Sequence, residues 1–149
     1  MDWLLEDDGK NPSIRYLTPV NLLGKTPQDL NVVEARAKLM RIGPVPVIFS
    51  HQHPDGYWEK PGPGYSPKYT STVWSVLMFA QLGADPEHPG VRDACDYILA
   101  NARAKDGFFT ATGTQAGVVH CLQGNLVTAL IELGCMDDPR LQEAVEWMA

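Results

Sequence analysis

Two adjacent residues, His120 and Cys121, carry the most reactive side chains that the sequence places at a predicted helix start. Adjacent residues point about 100° apart around a helix, so the pair could share a metal only at a frayed first turn, with a third ligand from elsewhere. The adjacent carboxylates, Glu6-Asp7-Asp8 and Asp137-Asp138, are predicted to be helix-end or turn residues. We therefore predict neither metal ligands nor catalytic residues.

A 51-residue repeat defines the elements that must position these side chains. Asp55-Gly56-Tyr57-Trp58 is echoed 51 residues later by Asp106-Gly107-Phe108-Phe109, and Leu82-Gly83 is echoed by Leu133-Gly134 at the same spacing. Two independent markers therefore share one period. Periods of roughly 20–50 residues are typical of stacked supersecondary units that cannot bury their apolar faces alone.

Each repeat is predicted to be a helical hairpin followed by an Asp-Gly-aromatic loop. Apolar spacing and caps predict helices near 69–82, 89–104, 120–133 and 139–149, with left-handed stops at Gly83 and Gly134 and no strand. Less regular helices are predicted over 13–23, from residue 26 to about 42, and over 46–51. We predict an all-α single domain, with capping helices in residues 1–43 and two hairpin repeats in residues 44–149.

The loop of the first repeat, Gln52-x-x-Asp55-Gly56-x-Trp58, resembles the QW repeat of squalene–hopene cyclases within the terpenoid cyclase and protein prenyltransferase superfamily. The resemblance covers about residues 44–149 and implies an α/α toroid, here an incomplete ring. It also implies a structural role for the motif residues. These residues are Gln52, Asp55, Gly56, Trp58, Asp106, Gly107 and Phe109, with Arg103 replacing the second glutamine.

The same resemblance places the family's functional groups at the starts of the inner helices, facing a cavity. This implies the candidate binding residues Tyr69, Thr70, Trp74, His120 and Cys121. The stretch before Thr72 lacks the acid of the cyclases, so the resemblance favours a noncatalytic isoprenoid- or lipid-binding scaffold. An enzyme on isoprenoids, including a zinc prenyltransferase using His120 and Cys121, and a protein-interaction scaffold stay open as alternatives.

Composition excludes some partners. Twelve Lys and Arg against eighteen Asp and Glu give a formal charge of −6, which disfavours binding to nucleic acid. No apolar run reaches the roughly 20 residues of a membrane span, and the acidic start is unlike a signal peptide, so a cytoplasmic bacterial protein is predicted. Three cysteines without close pairing are expected to be reduced. The predicted small-molecule partner is an apolar molecule such as an isoprenoid. The incomplete ring predicts either a second copy that completes it or a chain that is the first half of a longer protein.

Overall fold

The structure, a computed structural model that describes residues 2–149, is all-α. Its α-helices are α1 (Pro12–Leu23), α2 (Leu30–Leu39), α3 (Pro44–Phe49), α4 (Thr72–Leu82), α5 (Pro89–Asn101), α6 (His120–Glu132) and α7 (Pro139–Met148). Asp2–Leu5 and Gln115–Gly117 form short 3-10 helices. The prediction of an all-α chain is confirmed, whereas the toroidal arrangement stays a prediction.

The helix ends follow from local chemistry at the predicted caps. Gly83 and Gly134 adopt φ of 75° and 84°, in the left-handed region that stops a helix. Pro139 occupies the first turn of α7, where its missing N–H leaves no hydrogen bond unmade. The Asp138 carboxylate before it accepts a hydrogen bond from the Arg140 amide at 2.8 Å.

Several predicted boundaries are wrong. The helix predicted from residue 26 to about 42 spans Leu30–Leu39, and the one predicted over 46–51 spans Pro44–Phe49. Two boundaries of the repeat helices also differ. The helix predicted from residue 69 begins at Thr72, because Tyr69 has a φ of 71° and cannot join a right-handed helix. The helix predicted to run to residue 104 ends at Asn101, since the chain there turns back and Arg103 forms an isolated bridge with Phe109. Among the described residues, the other such bridge joins Thr110 to Val118.

The chain divides into two compact units. The first unit comprises Met1–Ser50 with Leu82–Asp85. Its buried apolar residues include Tyr16 of α1, Leu39 of α2 and Val45 of α3, which are three successive helices. Gly83 belongs to this unit and lies so close to the Tyr16 ring that a side chain there would clash with it.

The second unit comprises His51–Gln81 with Pro86–Ala149 and contains both predicted repeats. Its helices bury residues at i, i+3, i+4 and i+7 spacings, as expected for amphipathic helices around one core. The buried residues of these helices include Val73, Val76 and Phe79 of α4, Val91, Ile98 and Leu99 of α5, Leu122, Leu126 and Leu130 of α6, and Leu141 of α7. The predicted single-domain organisation and the boundary at residue 43 stay predictions.

None of the helices among the described residues combines the length and the apolar character that crossing a membrane requires.

Candidate functional site

An open groove of about 460 Å³ lies in the second unit, between the exposed faces of α4 and α6. Trp74, Met78 and Gln81 face it from α4, at the i, i+4 and i+7 positions of one helical stripe. Asn125, Thr128 and Glu132 face it from α6 with the spacing i, i+3 and i+7. The groove therefore exists because two helices each carry a second stripe that the core does not use.

One end of the groove is aromatic. The rings of Tyr69 and Trp74 lie 5.1 Å apart at an angle of 51°, and Tyr65 lies 5.6 Å from Trp74 on another side. The Trp74 indole N–H donates to the Tyr65 carbonyl at 2.9 Å, which fixes the orientation of the indole. An oriented pair of aromatic faces suits a flat apolar surface or a cation.

Tyr69 is held out at the rim of the groove by a strained backbone. Its side chain is 77% exposed, although a tyrosine ring gains by burial. Its φ of 71° lies in the left-handed region, which costs a non-glycine residue free energy. Strain of this kind persists where the position of a side chain matters, so Tyr69 is the first residue we assign to the candidate site.

The α6 side of the groove, together with Gln81 near the end of α4, carries polar side chains. Within the described chain, the side chains of Gln81, Asn125, Thr128 and Glu132 make no hydrogen bond or ion pair. Glu132 is also the last residue of α6, where the helix carbonyls add partial negative charge to its carboxylate. The groove thus offers an anionic corner, an amide pair and a hydroxyl beside an aromatic face.

The structure brings together only part of the predicted binding set. Tyr69 and Trp74 line the groove, whereas Thr70 is exposed and does not line it. His120 and Cys121 are exposed at the start of α6, and the His120 ring lies 6.3 Å from Trp147, nearly parallel to it. Neither His120 nor Cys121 lines the groove.

Sequence reasoning missed the polar wall of the groove. Asn125, Thr128 and Glu132 share one face of a helix whose opposite face is apolar, which is the usual pattern of a solvated surface. The signal that could have identified them is their repeat position. They lie on α6, the inner helix of the second repeat, and face the aromatic residues near the start of α4, the inner helix of the first repeat.

The first copy of the repeated loop is tied to the helices around it. The Gln52 amide donates to the Gly90 carbonyl in the first turn of α5 at 2.7 Å. Trp58 is buried and its backbone N–H donates to the Thr72 hydroxyl at 3.0 Å. Gly56 has a φ of 89° and lies against the Asp93 carbonyl, where a side chain would clash.

The second copy uses different side chains at the same positions. Arg103 donates from Nε to the Gly107 carbonyl at 2.9 Å and also pairs with Glu143. The backbone N–H of Phe109 donates to the Oε1 atom of Gln123 at 2.9 Å, in place of the hydroxyl used in the first copy. Gln123 lies 51 residues after Thr72, so the sequence period reappears in the hydrogen bonds.

No group of three or more His, Cys, Asp or Glu side chains suited to a metal ion occurs in the part of the chain that the structure describes. The expectation that the chain holds no cofactor stays a prediction, and zinc at His120 and Cys121 would require further ligands. The predicted apolar ligand and the predicted homodimer likewise stay predictions.

The chain is similar in sequence to several ligases that share one name. It is 32% identical over 98 residues to the L-cysteine:1D-myo-inositol 2-amino-2-deoxy-alpha-D-glucopyranoside ligase of Gordonia bronchialis, covering 64% of this chain and 23% of that protein. For the ligase of the same name from Mycobacterium ulcerans, identity is 32% over 93 residues, covering 60% and 22%. For that of Actinosynnema mirum, it is 29% over 90 residues, covering 58% and 22%.

The chain thus spans under a quarter of the length of the curated relatives it matches. No protein-family model matches the sequence. No solved structure matches the chain either.

These relatives overturn the resemblance to terpenoid cyclases and protein prenyltransferases, and with it the predicted isoprenoid-related and scaffold functions. The physical reason lies in the motif itself. Asp-Gly is ordinary turn chemistry, and an aromatic residue after such a turn packs into the core of any helical hairpin repeat. The loop motif therefore indicates helical hairpins and does not indicate a substrate. What the chain is similar to is a ligase.

Proposed function

We propose that the chain is a substrate-holding helical part of a ligase-type protein, and that the groove between α4 and α6 takes an amino sugar. The observation that carries the proposal is the composition of the groove, which holds an aromatic pair, with Tyr69 exposed and Trp74 half-buried, together with a carboxylate, two amides and a hydroxyl. The relatives supply the class of ligand, since their name joins L-cysteine to a 2-amino-2-deoxyglucoside of inositol.

Each part of an amino sugar has a counterpart in the groove. The C–H face of a pyranose ring is apolar and fits against Tyr69 and Trp74, whose rings lie 5.1 Å apart. The ring hydroxyls both donate and accept, as do the side chains of Asn125 and Thr128. The ammonium group carries a positive charge, which Glu132 and the end of α6 attract.

L-Cysteine, the other reactant in the relatives' name, fits this groove less well. It is a small zwitterion with no ring to place against the aromatic pair, whereas the groove measures about 460 Å³. Its ammonium group would pair with Glu132, but among the residues that the structure describes no cationic side chain lines the groove to pair with its carboxylate. The groove therefore favours the amino sugar over the amino acid.

Isothermal titration calorimetry tests this assignment. The purified chain is titrated with 1D-myo-inositol 2-amino-2-deoxy-α-D-glucopyranoside, with the analogue that carries a hydroxyl in place of the amine, and with L-cysteine. We expect the amine to bind about fivefold more tightly than the hydroxyl analogue, because an exposed ion pair contributes about 1 kcal/mol.

The variant Glu132→Gln should remove that preference and leave binding of the hydroxyl analogue nearly unchanged. Glu146→Gln on α7 removes an exposed carboxylate outside the groove and is the matched control. Absence of saturable heat with the amino sugar, or an unchanged amine preference in Glu132→Gln, would contradict the proposal.

A further inference from the structure

An apolar face lies open on the second unit, between α6 and α7. A second groove, of about 380 Å³, runs along it. The residues that define this α6–α7 face are Ile131, Met136, Asp137, Leu141, Val145 and Glu146. Leu141 is buried beneath it, whereas Ile131, Met136 and Val145 are exposed. Exposed apolar side chains are ordinary when they are scattered singly, but three that line one groove indicate a binding surface.

The first hairpin shows the same kind of face in a covered state. Helices α5 and α7 are the second helices of the two hairpins, and their apolar stripes align at a spacing of 50 residues. The aligned pairs are Val91 with Leu141, Ala94 with Ala144, Cys95 with Val145, and Ile98 with Met148. The first two pairs are buried on both helices, whereas Cys95 and Ile98 are 2% and 0% exposed and Val145 and Met148 are 40% and 43% exposed. Half of the α7 stripe therefore lacks the cover that the α5 stripe has.

The second hairpin lies beside α5 and brings a basic residue to it. Arg140, in the first turn of α7, donates from Nη2 to the Oδ1 atom of Asp96 on α5 at 2.6 Å. A Cβ atom at Gly134, between α6 and α7, would lie 3.4 Å from the Cβ atom of Pro86, which precedes α5. The partner of the α5 side is thus an amphipathic helix with an arginine in its first turn.

The α6–α7 face carries the charge with which such a helix would pair. Glu146 lies 50 residues after Asp96, at the equivalent place on the second hairpin. Glu146 is exposed and, within the part of the chain that the structure describes, its carboxylate makes no hydrogen bond or ion pair. Asp137 adds a second carboxylate, and no lysine or arginine among the described residues lines the face. The face would therefore repel an anionic lipid surface and attract a cationic helix.

We propose that the α6–α7 face binds an amphipathic helix that carries a basic residue in its first turn, as α7 does beside α5. The apolar stripe of that helix covers Ile131, Met136 and Val145, and its basic residue pairs with Glu146. Burial of the apolar side chains supplies most of the affinity, because it removes apolar surface from water. The exposed ion pair contributes less affinity and fixes the orientation of the helix.

The experiment titrates the full 149-residue chain, labelled in its methyl groups, with a synthetic peptide of residues 136–149 and follows it by two-dimensional NMR. The peptide is the helix that lies beside α5 and carries Arg140 in its first turn. We expect saturable shifts in the methyl groups of Ile131, Met136 and Val145. A matched peptide with Arg140→Gln should bind about threefold more weakly, because it lacks an exposed ion pair. Shifts at Ile98 on α5 instead would show that the peptide displaces α7, which would overturn the proposal.

Two variants of the chain separate the apolar contribution from the ionic one. The double variant Met136→Ser, Val145→Ser should weaken binding roughly tenfold or more, because both side chains are exposed and are covered only by the bound helix. Glu146→Gln should bind the two peptides equally. Val47→Ser on α3 removes an exposed valine from the first unit, so it is the control and should bind as the natural chain does.

Three results would overturn the proposal. The first is the absence of saturable shifts, and the second is equal binding of the two peptides to the natural chain. The third is a set of shifts at the α6–α7 face that depend on chain concentration without peptide, which would assign the face to a second copy. None of these results depends on the groove between α4 and α6, so this inference is tested separately from the proposed function.

Discussion

Replacing Gln123 by Leu should be among the most damaging single changes in the second unit. Gln123 is 2% exposed on α6, and its side chain meets both backbone polar groups of Phe109. Its Oε1 atom accepts from the Phe109 N–H at 2.9 Å, and its Nε2 atom donates to the Phe109 carbonyl. Leucine keeps a similar volume but leaves both buried backbone groups without a partner.

The expected cost follows from those two groups. A buried donor or acceptor that loses its partner costs roughly 1–3 kcal/mol, so the loss of two partners in Gln123→Leu should lower the free energy of unfolding by about 2–6 kcal/mol. This is a large share of the roughly 5–15 kcal/mol that holds a domain of ordinary stability together. The loop after α5 would lose its attachment to α6.

Urea unfolding followed by circular dichroism measures this cost. Gln142→Leu is the matched control, since Gln142 is exposed on α7 and its weak hydrogen bond to Met136 spans 3.4 Å. It should change the unfolding free energy by no more than about 0.5 kcal/mol. A loss below about 1 kcal/mol in Gln123→Leu would refute the claim that this side chain anchors the loop.

Two further predictions concern the turn and the helix cap. Gly56→Ala should cost at least about 2 kcal/mol of unfolding free energy, because the residue adopts a φ of 89° and its new methyl group would clash with the Asp93 carbonyl. Gly9→Ala is the control, since its methyl group meets no neighbouring atom, and it should be nearly neutral in the same urea titration. Asp138→Ala should cost about 1 kcal/mol at pH 7, because it removes the α7 cap, and the difference from the natural chain should shrink on acidification. The sign follows from Arg140, which lowers the pKa of Asp138 below 3.8, so the stabilisation is present above pH 3.8 and is lost as pH falls through the folded-state pKa. A difference that stays constant in thermal unfolding between pH 7 and pH 2 would contradict that account of the cap.

The helices were predictable because their signals are local. Apolar spacing and the glycines at positions 83 and 134 locate α4 to α7 to within a few residues. The start of α4 was not predictable, since a left-handed tyrosine at position 69 is imposed by its surroundings and not by its own preference. The end of α5 depended on a pairing with Phe109, which periodicity does not encode.

The candidate site was only half predictable for a related reason. Trp74 and Tyr69 stand out as aromatic residues at an inner helix start, and both line the groove. Asn125, Thr128 and Glu132 look like any solvated helix face until the structure places them opposite those rings. The resemblance to terpenoid cyclases rested on turn residues, which many helical hairpins need, and so it pointed to the wrong class of protein.

The measurement that tests the groove most directly is a titration of the isotope-labelled chain with the amino sugar, followed by two-dimensional NMR. We predict saturable shifts in the indole N–H of Trp74 and the side-chain amides of Gln81 and Asn125, all of which line the groove. The Gln142 amide on α7 should not shift. Shifts that avoid the groove, or that spread uniformly over the chain, would contradict the assignment of the α4–α6 groove as the ligand site.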